Sequence, residues 1–162
     1  MQRILIGLLV LFTLGVLCVS SATEAQPSPT VSRVGWLSAG SPHGDPGIEA
    51  FRQGLRALGY LEGETLILEA RYAVGSAERL PTLAAELVQR QVDVIVAGGS
   101  AAIRAAQQAT PTIPIVMAVA YDPIGQGFIA SLAQPGRNIT GLSWWGAELV
   151  GKRLELLKET VP

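Results

Sequence analysis

From Val34 onward, short apolar runs alternate with segments whose apolar residues recur at helical spacing. No other feature limits the possible folds as strongly, because period and run length together assign strand or helix. Val34-Gly35-Trp36-Leu37 is the first apolar run, and it ends in Ser38-Ala39-Gly40-Ser41-Pro42. Ile48, Phe51, Leu55 and Leu58 then fall on one helical face, with Gly59 where such a helix stops. Thr65 to Tyr72 reads as a second strand. Leu80, Leu83, Ala84, Leu87 and Val88 form the apolar face of a second helix. Val92 to Ala97 is a third strand, interrupted only by Asp93 and closed by Gly98-Gly99. Ala101 to Ala109 is alanine-rich and helical. Ile113 to Val119 is a fourth strand, Gly127 to Ala133 a short helix before Pro135-Gly136, and Ile139 to Ser143 a fifth strand. Glu148 to Val161 is a last amphipathic helix.

Strands that alternate with helices, with the middle strands apolar on both faces, predict a parallel sheet covered on both sides. The expected fold class is therefore α/β: a doubly wound, parallel, five-stranded sheet in one domain, roughly Arg33 to Ser143. With 162 residues the chain can bury one sizeable core. Apolar residues make up 49% of it and charged residues 15%, which excludes a disordered chain. A formal net charge of −1 gives no basic field for nucleic acid or an anionic membrane surface.

The N-terminus reads differently. Arg3 precedes an apolar run from Ile4 to Val19, and small residues follow through Ala22 and Ala25. That order is a secretory signal peptide over residues 1–25, with a polar, proline-containing linker over 26–32. The rival readings are an uncleaved membrane anchor and a lipoprotein linked through Cys18. The run is short for a spanning helix of about 20 residues, and bulky Leu17 fits lipoprotein processing badly. Cys18 is the only cysteine, so a cleaved chain has no disulfide. Export without a disulfide fits a bacterial envelope protein, placed in the periplasm.

In an open parallel sheet, ligands bind outside the carboxyl ends of the strands. Three loops meet that condition: Ser38 to Asp45, Gly98-Gly99-Ser100, and Ala120-Tyr121-Asp122. Gly98 and Gly99 permit a sharp turn and close approach of a ligand. Ser100 is expected as the N-cap of the next helix, whose free N–H groups suit a carboxylate. The same residues also serve as a plain turn and cap. Asp122 suits a ligand ammonium, or a cap on its own turn before Pro123. Tyr121, Trp36 and Trp144-Trp145 fit ligand stacking as well as packing at a core or hinge, and packing is the simpler reading. His43 lies in the first loop, and a lone loop histidine is most simply solvated.

Motifs for catalysis are mostly missing. Gly98-Gly99-Ser100 lacks the lysine of a phosphate-binding loop, and Gly125-Gln126-Gly127 lacks the next glycine of a dinucleotide fingerprint. There is no Gly-x-Ser-x-Gly elbow. One histidine in the chain excludes a histidine-rich metal site. No enzyme activity, cofactor or metal is expected.

Seven segments in one order resemble the ABC-transporter substrate-binding family that includes tryptophan- and tyrosine-binding proteins of bacteria. The weaker ones are Phe51 to Tyr60, Glu78-Arg79-Leu80-Pro81, Val92 to Ala97, Ile113-Pro114-Ile115-Val116 and Asp122-Pro123-Ile124-Gly125. The more specific ones are Gln134-Pro135-Gly136-Arg137-Asn138-Ile139-Thr140-Gly141-Leu142 and Lys152 to Lys158. The resemblance implies a two-lobed, periplasmic-binding-protein-like fold that closes on a small solute. It also implies delivery of that solute to an ABC permease whose ATPase is a separate subunit. The partners so implied are the solute and the permease, with no nucleic acid. Membrane contact comes only through the permease or an uncleaved anchor.

By position, the resemblance carries ligand contacts onto Ser38, Ser41, Ser100 and Asp122. Gly99 and Tyr121, in the same loops, complete the candidate set. Aromatic amino acids are the ligands it suggests. Residues 33–146 are then the N-terminal lobe. Residues 147–162 are a hinge-proximal helix whose stripe of Leu149, Leu154, Leu157 and Val161 expects a partner in a second lobe. A single lobe is expected to bind solute weakly or not at all, because closure buries the ligand. A truncated form, an envelope sensing module for a receptor and a non-functional fragment stay open as alternatives.

Overall fold

The computed structural model describes residues 31–144 and 147–160. The expected signal peptide, Cys18, Trp145 and all but the end of the linker lie outside the described residues. Five strands form: β1 (Ser32–Ser38), β2 (Leu66–Tyr72), β3 (Val94–Gly98), β4 (Ile115–Tyr121) and β5 (Ile139–Trp144). The described helices are α1 (Pro46–Ala57), α2 (Leu80–Gln89), α3 (Ser100–Ala109) and α4 (Ala147–Thr160). β1 begins at Ser32, the last residue read as linker. The strands pair in parallel in the order β2-β1-β3-β4-β5. The doubly wound α/β reading is therefore the observed architecture.

Side-chain alternation along the strands builds two cores, one on each face. Leu37, Ile95, Ile115, Met117 and Ile139 point to the face covered by α2 and α3, where they meet Leu80, Leu87, Ile103 and Ala106. Val34, Trp36, Leu66 and Val96 point to the opposite face and pack against Ile48, Phe51 and Leu55 of α1. Gly35 lets α2 approach β1, since a Cβ there would lie 3.1 Å from a Leu87 methyl carbon. Each fully buried leucine or isoleucine contributes about 1.5–3 kcal/mol by leaving water.

Local sequence explains most element ends. Asp45 caps α1, accepting from the Gly47 and Ile48 N–H groups, and Pro46 occupies the first helical position. Gly59, at φ +88°, ends the α1 region. Leu58, expected on the helix's apolar face, instead lies at the C-cap and is 76% exposed.

A second expectation fails in the crossover between β4 and β5. Gly127 to Ala133 is not a helix. One turn forms from Pro123, and Gly127 then takes φ +73°. The Gly127 N–H bonds the Ile124 carbonyl and the Phe128 N–H bonds the Pro123 carbonyl, at 2.9 Å each. That pair of bonds is a Schellman closure, which stops the helix after one turn. The apolar residues that suggested a helix serve instead as a plug: Phe128 is fully buried in the α2/α3-side core. Arg104 of α3 lies over its ring, 5.1 Å from the centroid.

Leu154 and Leu157 of the expected α4 stripe are exposed, as is Leu156. Among the described residues no helix is long and apolar enough to cross a membrane.

Candidate functional site

Strand order reverses direction between β1 and β3: the connection from β1 goes out to β2, and the chain returns past β1 to β3. Their carboxyl ends are therefore the switch point at which a ligand crevice opens in such sheets. Ser38 and Gly98, the last residues of the two strands, are register partners there. A Cβ on Gly98 would lie 3.8 Å from the Ser38 Oγ, an ordinary contact, so the two strand ends lie side by side.

The loop after β1 is held to the loop after β2. Ala73 N–H bonds the Ser38 carbonyl, Val74 N–H the Gly40 carbonyl and Gly75 N–H the Ala39 carbonyl, all at 2.9 Å. Within the loop, the Ser38 Oγ accepts from the Gly40 N–H at 3.1 Å, and the Ser41 Oγ from the His43 N–H at 3.3 Å. A hydroxyl that accepts still has its own O–H to donate. Both serines therefore offer donors to a ligand. His43 itself is exposed.

After β3, Gly99 takes φ +86° and ψ +161°, a conformation open to glycine alone. The expected role of Ser100 needs correction. Gly99 is the N-cap, Ser100 is the first helical residue, and no side chain caps α3. The sharp glycine turn moves the helix start one residue forward. The first turn of α3, which begins at the carboxyl edge of the sheet, thus has no side-chain acceptor for its N–H groups. Ser38 lies beside Gly98 at this edge, and a hydroxyl next to an uncapped helix start suits an anionic group such as a carboxylate.

After β4, Asp122 adopts φ +42°, and its Oδ1 accepts from the Gly125 N–H at 2.9 Å. The reading in which Asp122 caps its own turn is therefore realised. Gln126 reinforces the turn through a hydrogen bond from its amide nitrogen to the Tyr121 carbonyl. A Cβ on Gly125 would fall on the Asp122 carboxylate, so the turn demands glycine there. The carboxylate remains exposed, with acceptor capacity left for a cation.

Beside it stands an aromatic pair. Tyr121 and Trp144 are register partners at the ends of β4 and β5, and they are 59% and 62% exposed. Trp36, by contrast, is a core residue at 4% exposure, as the packing alternative held. Ser143, next to Trp144, has a buried Oγ with no hydrogen-bond partner. Nothing in the sequence marks that hydroxyl, because its burial depends on the register between β4 and β5.

Among the described residues no cluster of three His, Cys, Asp or Glu side chains could hold a metal. Hydroxyl donors lie at the carboxyl ends of β1 and β3, an exposed acidic side chain follows β4, and an exposed aromatic pair ends β4 and β5.

Known proteins resemble this chain in sequence and fold. Residues 42–162 match the family model for ABC transporter substrate binding protein. The tyrosine-binding protein of Clostridioides difficile is 31% identical over 121 residues, which is 75% of this chain and 34% of that protein. A conserved domain protein from Vibrio cholerae has a similar structure, with a TM-score of 0.70 and 34% identity over 82% of this chain and 45% of that one. An ABC domain from Streptococcus pneumoniae in complex with L-Trp gives a TM-score of 0.64 at 26% identity, covering 70% of this chain and 39% of that one. A ligand-free, open substrate-binding protein with adhesive properties from Clostridium difficile gives 0.67 at 28%, covering 79% and 43%. The chain thus spans less than half the length of each. With the family model matched over most of its length, the chain belongs to the ABC transporter substrate-binding protein family.

Proposed function

We propose that this chain supplies one lobe of the substrate-binding component of an ABC importer, and that the solute is an amino acid with an aromatic side chain. It captures the solute in the bacterial envelope and hands it to a permease driven by a separate ATPase subunit. One observation carries the reading: in a member of this family, the loops after β1, β3 and β4 meet the carboxyl edge of the sheet around its switch point. The uncapped start of α3, with Ser38, Ser41, Gly99 and Ser100, takes the solute carboxylate. Asp122 takes the ammonium through its free acceptor capacity. Tyr121 offers a flat face to the side chain. The L-Trp complex and the tyrosine-binding protein among the similar proteins support an aromatic solute. The Arg3 to Ala25 segment supports export to the periplasm.

Calorimetric titration of the full-length protein with L-tryptophan, L-tyrosine and L-leucine tests the solute. Heat with either aromatic amino acid and none with L-leucine is the expected result. Equal affinity for all three removes the aromatic specificity, and no heat with any, at concentrations that detect the weak binding expected of a single lobe, removes the amino-acid reading.

A further inference from the structure

We propose that Asp45 is a positioning residue that tethers the candidate ligand loop to the sheet through the Trp36 indole. Its consequence for solute binding rests on the function proposed above; the tether itself does not. The two oxygens of the carboxylate do different work. Oδ1 accepts from the Gly47 and Ile48 N–H groups at 2.9 and 3.4 Å and so caps α1. Oδ2 accepts from the Trp36 Nε1–H at 3.3 Å and so reaches β1. Trp36 is buried, and its ring centroid lies 5.6 Å from that of Phe51. Without Asp45 its N–H would be left unpaired in apolar surroundings.

A third element joins the cluster. Tyr72, the last residue of β2, has its hydroxyl pKa raised from the ordinary 10.0, first by burial and then by the Asp45 carboxylate. The first turn of α1 also sits on the indole: a Cβ on Gly47 would lie 3.4 Å from two Trp36 ring carbons. The stretch from Ala39 to Gly44 therefore has both ends fixed. Backbone bonds from Ala73, Val74 and Gly75 hold its start, and Asp45 holds its end. Ser41 and His43 lie between those two points. A loop fixed before binding loses less freedom when a solute arrives.

The simpler role is helix capping alone, and D45S separates the two. Serine caps a helix about as well as aspartate, but its shorter side chain cannot also reach the indole. W36F removes the indole N–H and keeps an aromatic ring. Hydrogen–deuterium exchange of the Gly40 and His43 amides, which are bonded to the Ser38 and Ser41 hydroxyls, measured on the full-length chain, is the readout. D45S and W36F are each expected to speed that exchange about tenfold, the factor for one hydrogen bond to a charged group. The W36F/D45S double variant is expected to match either single variant, because both cut the same tether. Wild-type exchange in D45S, or single effects that multiply to about a hundredfold in the double variant, overturns the tether. A chain that shows the tenfold effect yet binds neither L-tyrosine nor L-tryptophan upholds the tether and refutes the solute-binding role.

Discussion

Replacing Gly141 by alanine should destabilise the sheet at the edge that carries Trp144. Gly141 lies in β5 opposite Met117 of β4 and takes φ +136°. A Cβ there would fall on the Met117 backbone, within 2.9 Å of its carbonyl carbon and closer still to its N and O. Two effects add. Forcing a residue with a side chain into that backbone region costs about 1–3 kcal/mol. Backbone cannot move aside like a flexible side chain, so overpacking costs about 1–3 kcal/mol more. About 3 kcal/mol or more is therefore expected, a large share of the ~5–15 kcal/mol that holds a domain together. At about 2–4 °C per kcal/mol for a chain of this size, the midpoint should fall by about 10 °C. Urea denaturation followed by far-UV circular dichroism reads the free energy, and a thermal melt reads the midpoint. Gly54 provides the control: it lies on the exposed side of α1 with nothing within 4 Å of a built Cβ. Gly54→Ala should stabilise by about 0.5–1 kcal/mol. A Gly141→Ala protein that melts with wild type refutes the close approach of β4 and β5.

Other perturbations reach the loops and the polar surface. Asp122→Ala removes the Gly125 N–H acceptor and the proposed ammonium partner, so L-tryptophan affinity of the full-length protein should fall at least tenfold, read by calorimetry, while stability changes by about 1 kcal/mol. Arg71→Ala breaks bonds to Glu86 at 2.9 Å and Glu69 at 3.3 Å on the β2 edge. The group is partly exposed, so the loss should be about 1–2 kcal/mol by urea denaturation. Tyr72, with its folded pKa above 10.0, favours the folded state fully below that value. As pH rises past it the unfolded chain releases the proton first, so stability should be lost there, and Tyr72→Phe should flatten that part of a stability–pH curve.

Elements whose local pattern agrees with their packing were legible in the sequence. The apolar run at Val92 to Ala97 and the periodic leucines from Leu80 to Leu87 became β3 and α2 because burial on the sheet rewards the same periodicity that marks them. Positions decided by a single backbone angle were not. Phe128 and Ile129 look helical in sequence, yet Gly127 at a positive φ ends the turn before them and drops Phe128 into the core. Ser100 has the chemistry of a cap, but the Gly99 turn takes that position. The candidate loops followed from the rule that parallel sheets bind at their carboxyl ends. Which hydroxyl or carboxylate is already engaged did not, since Ser38, Ser41 and Asp122 spend acceptor capacity on local turns. Asp45 entered the sequence reading only as the end of the first candidate loop, and its capping of α1 is a finding of the structure. Its second bond to Trp36 depends on how α1 lies across β1 and has no sequence signal.

The proposed half-site is tested most directly by adding L-tryptophan to the isotopically labelled chain and following backbone amide chemical shifts, which detect even millimolar binding. Shifts that saturate and cluster at Ser38–Ser41, Gly98–Ser100 and Tyr121–Asp122 are the expected result. Shifts confined to other surfaces, or none at saturating L-tryptophan, would contradict a ligand site at the carboxyl end of this sheet.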